Sequence, residues 1–481
     1  MEHIVVLAQL VVLAYFAGLQ ILSFVVAWRG VRTLWRTSRD VSRSMLDDLV
    51  EQKIWRPVSI LVPAHNEART IVESVRALSK LRFPEFEIIV VSDGSTDDTV
   101  RLLTAAFDLE ARSRLHPRRL PCAEVKRILT SRRLANLTVV EKERGGKADA
   151  LNAALNLAKY PLVCTVDADS LIERDALLRA ARIFANDEKV VAVGGAVRPL
   201  NGALVEGGTV QALRLPRKWL ERIQILEYGR AFFTGRVGWG SWNALTLISG
   251  AFGVFHRETV LAVGGYRVDT VGEDLDLVVR LHKHCRSRKI PYRIVSLPVP
   301  MCWTQVPADL GSLRAQRNRW QRGLWETLWA HRDMLFRPSF GRLGFVSIPY
   351  LWLFEGLAPF VEILGYLLIP ICLWMGWLAP EIALYFVLLA AAYGLLLSLM
   401  GLVVEMLLEN RYASPRERLV LILGAFLEMA GPRQILAFER LLAFFQVWTR
   451  KGEWGRMKRQ RIGPTSVPPP KTGPGLEGSA G

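Results

Sequence analysis

Cysteine and histidine are both scarce in this sequence. Its 481 residues include only five cysteines and seven histidines. The cysteines follow no paired spacing, so neither a zinc site nor a disulfide framework is indicated, and we expect reduced thiols. His282 and His284 are two positions apart in a predicted helix, which places them on different faces and argues against a shared metal ion.

Acidic residues are outnumbered by basic ones. The chain has 45 Asp and Glu against 62 Lys and Arg, which gives a net charge of +17. An excess of this size is typical of nucleic-acid-binding proteins when it forms a basic patch. Here the basic residues cluster beside apolar runs, where they would meet anionic lipid headgroups. We therefore expect membrane lipids, and no nucleic acid, as partners.

Charge is absent from residues 4–28, an apolar run of 25 residues. The run is long enough to span a bilayer and exceeds the apolar core of a signal peptide, so residues 1–28 are predicted to be a permanent anchor. Five arginines follow between positions 29 and 43. By the positive-inside rule, the basic linker 29–53 and the chain beyond it are expected in the cytosol.

Charge is also rare between residues 343 and 448. Glu355 and Glu362 are the only charged residues in 343–380, and 382–404 has none, so at least two further spans are predicted. The run 419–448 is interrupted by Pro432, which fits a re-entrant hairpin or a tilted pair of helices. Residues 449–481 are predicted to form a basic and then disordered cytosolic tail.

Residues 54–305 alternate short β-branched runs with amphipathic stretches, the pattern of an α/β domain with a mostly parallel sheet. Ligands of such sheets bind beyond the carboxyl ends of the strands. The Arg-rich segment 112–133 is predicted to be a solvated loop. The predicted strands are 58–62, 88–92, 137–140, 162–166 and 190–193, and the predicted helices include 70–80, 147–158 and 174–185.

Carboxylates follow two of the predicted strands. Asp93 in VSDGS can accept hydrogen bonds from a ribose or a uracil ring, although a strand followed by a turn also arises for structural reasons alone. Asp167 and Asp169 in DAD can turn toward one hard cation, Mg²⁺ or Mn²⁺, which bridges a diphosphate. The alternative for this motif is a helix cap after Ser170.

Three further features bear on chemistry. Lys147 follows two glycines at the predicted start of a helix, which suits a phosphate, although a surface lysine is the alternative. Glu273 and Asp274 open an amphipathic helix, as a cap or as a general base. The amphipathic stretch 306–342, rich in Trp and Arg, is expected to lie at the membrane interface and contains the motif QRNRW.

Taken together, these segments resemble the family 2 glycosyltransferases. The resemblance is to the processive, membrane-bound branch with the bacterial poly-N-acetylglucosamine, hyaluronan and cellulose synthases. One departure is that the family's usual TED occurs as GED, with Gly272 in the first place. The motifs occur in the family's order: PAHNEA with Glu67, VSDGS with Asp93, DAD with Asp167 and Asp169, SGAFG from Ser249, ED with Asp274, and QRNRW with Gln316, Arg319 and Trp320.

This resemblance implies a GT-A-like catalytic domain and an inverting transfer. The donor would be UDP-N-acetylglucosamine or a similar UDP-sugar, and the product a growing β-linked polysaccharide. Asp274 would be the catalytic base, and Asp167 and Asp169 would hold Mg²⁺ or Mn²⁺. Donor-binding roles are implied for Glu67, Asp93, Lys147, Asp167 and Arg319, and acceptor-binding roles for Ser249, Glu273, Gln316 and Trp320.

Two other functions remain open from the sequence. One is a transferase that adds a single sugar to a lipid-phosphate carrier, a class that generally lacks QxxRW before the membrane segment. The other is a transport or structural membrane protein without catalysis, which the intact carboxylates disfavour. The expected location is the bacterial plasma membrane with the catalytic domain in the cytosol, and accessory export subunits are candidate partners.

Overall fold

A computed structural model describes residues 2–37, 50–51, 53, 55–112, 118–206, 208–408, 414–429 and 431–450. These residues form a ten-stranded sheet in the order β3-β4-β5-β2-β1-β6-β11-β8-β12-β7, together with a separate hairpin of β9 and β10. The strands are β1 (Val58–Ala64), β2 (Phe86–Asp93), β3 (Leu109–Ala111), β4 (Val125–Ser131), β5 (Leu137–Lys142), β6 (Leu162–Val166), β7 (Leu171–Ile172), β8 (Val190–Pro199), β9 (Ala203–Glu206), β10 (Thr209–Leu213), β11 (Phe252–His256) and β12 (Arg293–Thr304).

Helices cover the sheet and continue beyond it. π-Helical residues Arg230–Arg236 join α6 to α7, and the irregular helical segment Leu343–Gly356 precedes α11. The helices are α1 (Glu2–Thr37), α2 (Ile71–Ser79), α3 (Thr99–Phe107), α4 (Lys147–Leu157), α5 (Ala176–Asn186), α6 (Trp219–Gly229), α7 (Val237–Ser241), α8 (Arg257–Ala262), α9 (Glu273–Ser287), α10 (Leu310–Ala330), α11 (Ala358–Trp374), α12 (Pro380–Leu408), α13 (Pro415–Met429) and α14 (Pro432–Gln446).

The centre of the sheet is parallel. β1 pairs in parallel with β2 and with β6, and β2 pairs in parallel with β5. Alternate residues of β1 enter different cores, since Ile60 and Val62 pack in one hydrophobic cluster and Leu61 packs in the other. β11 then runs antiparallel to both β6 and β8. The five predicted strands and three predicted helices are all present, and the α/β, mostly parallel fold class is confirmed.

The prediction of a solvated loop over 112–133 is wrong for its second half. Residues Val125–Ser131 form β4, which lies between β3 and β5. Ile128 and Leu129 are buried, whereas Arg127 is exposed and pairs at 2.6 Å with Glu141 on β5. The charges that suggested a loop therefore lie on the solvated side of a strand and are partnered across the ladder.

Two described helices are long and apolar enough to cross a membrane, over Val11–Trp35 and Pro380–Val404. Two further helix pairs are long and apolar enough to cross a membrane only when each pair is taken together, and both are bent. The bend is 41° between Leu343–Gly356 and Ala358–Trp374, and 50° between Pro415–Glu428 and Pro432–Gln446. α1 also continues nine residues beyond the anchor limit expected from the sequence, to Thr37. The predictions for residues 38–49, 409–413 and 451–481 lie outside the described residues.

α1 packs directly on the helical segment 219–241. A Cβ added to Gly30 would strike the carbonyl group of Thr234, and one added to Gly238 would strike that of Val26. Only glycine allows backbones to approach so closely. At the other end of the chain, α14 is bound to α10, where Arg314 Nε and Asn318 Nδ2 donate to the Glu439 carboxylate at 2.9 and 2.8 Å. α1 and α14 thus both pack against the central part of the chain, α1 on the segment 219–241 and α14 on α10.

Candidate active site

The loops after β1 and β2 form one edge of the site. Asn66 Oδ1 accepts a hydrogen bond from Thr96 N at 2.8 Å, and Ala68 N donates to Asp97 Oδ2 at 3.1 Å, so the two loops are fastened together. Glu67 is buried between them and accepts from Thr70 Oγ1 at 2.9 Å. Its carboxylate is thus fixed at the start of α2, and its predicted role in donor binding stays a prediction.

Asp93, the last residue of β2, is buried and fully engaged. Its Oδ1 accepts from Lys142 Nζ at 2.5 Å and from Gly145 N at 2.9 Å, and its Oδ2 accepts from Gly146 N at 2.7 Å. In this structure the carboxylate therefore orders the turn that leads to Lys147. The sequence offered no signal for Lys142, which is a buried cation held by Asp93 and, at 2.6 Å, by Asp149.

Lys147 and Asp167 form an ion pair at the carboxyl edge of the sheet. Lys147 Nζ lies 2.5 Å from Asp167 Oδ1 and 3.5 Å from Glu273 Oε1. Burial alone would favour the neutral amine, but the negative charges of Asp167 and Glu273 raise the pKa of Lys147. The alternative of a surface lysine is therefore wrong, because the side chain is only 16% exposed.

The DAD motif leaves β6 as expected from its sequence. Asp167 retains 29% of its side-chain exposure, whereas Asp169 is buried. The short strand β7 follows Ser170 directly and α5 begins only at Ala176, so the alternative of a helix cap for DAD is wrong. Both aspartates supply hard oxygen atoms, the donor type that Mg²⁺ and Mn²⁺ prefer.

The ED motif meets the same ion pair from the opposite side. α9 begins at Glu273, whose burial raises the pKa of its carboxyl group, an effect that Lys147 opposes. Asp274 Oδ1 accepts from Leu275 N at 2.8 Å, and its Oδ2 accepts from Gly250 N at 3.2 Å. Asp274 is thus held by backbone donors at the entrance of the helix, with its carboxylate facing the SGAFG segment.

Gly250 lies where these groups converge. A Cβ at this position would lie 2.8 Å from Lys147 Nζ and 3.7 Å from Asp274 Oδ2. Gly250 therefore lies between the ammonium group and the carboxylate, and a side chain there would have to displace the end of Lys147. Ser249 itself accepts through its carbonyl oxygen from Phe252 N at 3.1 Å, which shapes the turn into β11. Its role in acceptor binding stays a prediction.

The QRNRW residues lie on α10, which runs past the ED motif. Arg319 Nη1 donates to Val271 O at 3.4 Å, and its charge acts on the Glu273 carboxyl group. Trp320 is 41% exposed, with the Arg317 guanidinium 4.2 Å from its ring centroid. The Oε1 atom of Gln316 is buried without a hydrogen-bond partner among the described residues. These groups offer two cations, one flat apolar face and one acceptor atom.

Sequence reasoning missed two residues of the segment 219–241. Burial lowers the pKa of Arg236 to about 10, while Asp274 and Tyr228 act in the opposite direction. The Arg236 guanidinium stacks 3.8 Å from the Phe232 ring centroid. Burial raises the pKa of Tyr228 to about 12, and the charges that act on it include that of Asp169. No sequence signal separates these residues from core positions, because the π-helical turn that orients Arg236 has no pattern of its own.

The departure from TED to GED has a steric cause. A Cβ on Gly272 would lie 2.8 Å from the Cα of Gly323 on α10. A Cβ on Gly323 would in turn lie 2.6 Å from the Cα of Gly272. The two backbones are therefore in contact, and a threonine at position 272 does not fit this arrangement.

The histidines do not form a metal site in the described part of the chain. The ring of buried His282 contacts the Tyr292 hydroxyl group and the Leu245 carbonyl oxygen, both at 2.7 Å. Burial also lowers the pKa of His282 to about 4. Among the residues that the structure describes, no three His, Cys, Asp or Glu side chains are grouped to hold a metal ion.

Comparison with known proteins gives the following. The family described as Glycosyltransferase like family 2 matches residues 56–323, more than half of the chain. The poly-beta-1,6-N-acetyl-D-glucosamine synthase of Staphylococcus aureus (strain COL) is 27% identical over 299 residues, which are 62% of this chain and 60% of that protein. The synthase of the same name from Staphylococcus epidermidis is 27% identical over 318 residues, 64% and 66% of the two chains. Both matches thus span less than two thirds of the relatives' length.

Two solved structures are similar at a lower level. The mannosyltransferase PcManGT from Pyrobaculum calidifontis, in complex with GDP-Man and Mn²⁺, has a TM-score of 0.49 and 21% identity over 92% of this chain and 99% of that one. S. aureus TarS 1-349, in complex with UDP-GlcNAc, has a TM-score of 0.35 and 17% identity over 60% and 71%. Neither similarity is close enough to assign a donor or a metal to this chain.

Proposed function

The chain belongs to the glycosyltransferase-like family 2 and is a glycosyltransferase, and from that premise we propose that it extends a β-linked polysaccharide from a UDP-sugar. The observation that carries this proposal is the convergence of Asp274 with the Lys147–Asp167 pair around Gly250. A group that can accept a proton thus stands beside groups that can hold a diphosphate. UDP-N-acetylglucosamine is the first donor to test, because the relatives at 27% identity are named poly-N-acetylglucosamine synthases.

The leaving diphosphate is assigned to the edge formed by DAD and Lys147. Asp167 and Asp169 supply the hard oxygen atoms that a divalent cation prefers. The 2.5 Å ion pair of Asp167 with Lys147 Nζ supports a positive charge at this edge. Mg²⁺ or Mn²⁺ would neutralise the charge that develops on the leaving group. Lys147, which stays protonated because of its acidic neighbours, and Arg319 add positive charge on the same side.

The acceptor hydroxyl group is assigned to Asp274. Its carboxylate is fixed by the amides of Gly250 and Leu275, which leaves it oriented rather than free to rotate. It would remove the proton as the hydroxyl oxygen attacks the anomeric carbon opposite the diphosphate. Such an attack inverts the anomeric centre, so an α-linked donor gives a β-linked product, as the resemblance to the family implies.

The growing chain is assigned to α10 and its Trp320. An indole face binds sugars through dispersion and apolar contact without requiring one hydroxyl pattern, so each new terminal unit can take the same place. Trp320 is partly exposed. In the sequence it comes after the ED motif and before the first apolar segment beyond that motif, Leu343–Gly356. An acceptor held there would be directed toward the membrane.

The catalytic domain is placed on the cytosolic side of a plasma membrane. The two long apolar helices support a membrane location, and the arginines after residue 28 support a cytosolic domain. A reporter fused at residue 310 should therefore behave as a cytosolic protein. A periplasmic or extracellular signal would contradict this placement.

The function is tested with membranes that contain the full chain, incubated with one nucleotide sugar at a time. We expect a single UDP-sugar, UDP-N-acetylglucosamine first among them, to give a polymer that grows with time when products are sized. Addition of only one sugar, to a lipid phosphate, would replace the polymer reading with the lipid-carrier alternative. Absence of transfer from every donor would instead favour a transport or structural role.

A further inference from the structure

A carboxylate on α10 binds the turn that leads into the ED motif. Glu326 Oε2 accepts a hydrogen bond from Thr270 Oγ1 at 2.8 Å and another from Val271 N at 2.9 Å. Thr270 Oγ1 in turn accepts from Gly272 N at 3.1 Å. Thr270 and Val271 are buried and Glu326 is partly exposed, so the donor side of these bonds is shielded from water. Thr270 and Val271 are thus bonded directly to the Glu326 carboxylate, and Gly272 is linked to it through the Thr270 hydroxyl group.

Two further contacts join the same pair of elements. The backbones of Gly272 and Gly323 touch, so α10 cannot slide along the turn without a clash. Beyond the end of α10, His331 Nε2 lies 3.0 Å from Oδ1 of Asp276, a fully buried residue of α9. α10 and the residue that follows it therefore contact the chain on both sides of Asp274, at Gly272 and at Asp276. The position of the Asp274 carboxylate depends on how α10 holds this turn.

We propose that Glu326 is a positioning residue that holds the 270–272 turn so that α9 presents Asp274 to the acceptor. The proposal rests on the function proposed above, because the role of Asp274 as base belongs to it. Gln316, Arg319 and Trp320 lie on the same helix as Glu326. The acceptor and the base are consequently aligned by one rigid element, and Glu326 is the connection between them.

The test compares turnover, donor KM and UDP affinity of the full-length protein in detergent or membranes. Glu326→Ala should lower kcat about 10- to 100-fold, since a small misplacement of a catalytic group costs that much. Donor KM and the Kd for UDP should change by no more than about twofold, because Glu326 does not contact the donor edge. Glu326→Gln, which keeps one accepting oxygen, should recover part of the lost kcat.

Asp333→Asn is the matched control. Asp333 also connects the region after α10 to α9, through Lys283 Nζ at 2.8 Å, but at the far end of α9 from Asp274. If Glu326 positions Asp274, and does not merely pack the two helices together, Asp333→Asn should retain kcat within about twofold. A loss equal to that of Glu326→Ala would overturn the proposal, as would a normal kcat in Glu326→Ala.

A double mutant separates positioning from an unrelated defect. If Glu326 acts through Asp274, Glu326→Ala should cost little more in a chain that already carries Asp274→Asn. If the two substitutions lowered kcat by fully additive amounts of activation free energy, Glu326 would not act through Asp274. Should Glu326→Ala fail to fold, Thr270→Val decides in its place, because it removes the hydroxyl donor at nearly constant volume, and the same split between kcat and UDP affinity is expected.

Failure of the proposal and failure of the proposed function give different results. The variants are compared in the transfer reaction that the wild-type protein performs and that Asp274→Asn slows. If the wild type adds a single sugar, the polymer function is wrong, but the ratio of the Glu326→Ala rate to the wild-type rate still tests positioning. If the wild type makes polymer and this ratio is near one, positioning alone is wrong.

Discussion

Gly272 and Gly323 are in mutual backbone contact, so each occupies the only space in which the other could carry a side chain. Gly272 has φ of −115°, which any residue can adopt. Space, and not conformational freedom, therefore requires glycine at this position. The pair sets the distance between α10 and α9, and it joins the GED segment to the helix that carries QRNRW.

Gly272→Ala should consequently destabilise the protein by about 1 to 3 kcal/mol and lower turnover, because the added methyl group must displace α10. Gly323→Ala should act in the same way. Gly365→Ala is the control, since a Cβ there meets nothing within 4 Å. Thermal unfolding in detergent and turnover would be measured together. If Gly272→Ala had the Tm and the turnover of the wild type, α9 and α10 could move apart without loss of stability, and the prediction would be wrong.

Asp274→Asn should reduce turnover by about 100-fold or more, the usual scale for loss of a positioned base. The amide has the same shape, and its one carbonyl oxygen can still accept from either Gly250 N or Leu275 N, so the fold should be retained. UDP affinity, measured by calorimetry, serves as the control for an intact donor site. Turnover within a few-fold of the wild type would assign the base to another group.

Removal of divalent cations should abolish transfer. EDTA in excess should stop the reaction, and Mg²⁺ or Mn²⁺ should restore it, because DAD offers two carboxylates that are suited to a hard cation. Asp167→Asn should raise the Mn²⁺ concentration needed for half-maximal rate. It should also lower the pKa of Lys147 toward its ordinary value, since Asp167 is a main cause of the raised value. Full activity in excess chelator would defeat this prediction.

Trp320→Ala should impair elongation more than donor binding. The ring is exposed and stacks against the Arg317 guanidinium, on the side proposed for the acceptor, so UDP affinity should stay within about twofold. Short products or hydrolysis of the donor are expected when products are sized. Trp320→Phe, which keeps a flat apolar face, should elongate better than Trp320→Ala. Equal product lengths in all three proteins would exclude stacking on this residue.

Asp276→Asn should destabilise the protein by about 3 to 5 kcal/mol, since it leaves buried charges without their partner. Asp276 accepts from Arg267, Arg280 and His331. Although burial alone would raise its pKa, these partners lower it.

A lowered pKa means that the folded state favours the ionised form. The contribution of Asp276 is therefore complete above its ordinary pKa of about 3.9 and is lost as the pH falls below that value. The difference in Tm between wild type and Asp276→Asn should accordingly be largest near neutral pH and shrink toward pH 3. Asp269→Asn is the control, because its side chain is 69% exposed and shares the partner Arg267. A difference that grows in acid would contradict the assignment.

The sequence predicted the parts of the fold that short-range patterns determine. The apolar runs of β1 and β6 are read directly, because strands buried on both faces need continuous hydrophobic residues. β4 was missed because the exposed side chains of Lys126 and Arg127 hide the strand in a run of charges. Pairing with β5, rather than local propensity, determines its structure.

The sequence identified those residues of the site that belong to a recognisable motif. Asp167, Lys147 and Asp274 meet as the motifs suggested. The roles of Lys142 under Asp93 and of Glu326 under Thr270 depend on contacts between residues 49 and 56 positions apart. No spacing rule reaches across such separations, so these residues become visible only when the chain is folded. The individual roles given to the site residues stay predictions until the variants are measured.

The close crossing of α1 with the segment 219–241 bears on how this protein can be handled. Gly30 and Gly238 let the two backbones meet within one turn of Arg236, whose guanidinium acts on Asp274. A shortened protein that begins at residue 55 would lose this contact and leave an apolar groove facing water. α1 is thus also a wall of the segment that carries Arg236, and we expect a fragment without α1 to differ in activity from the full chain.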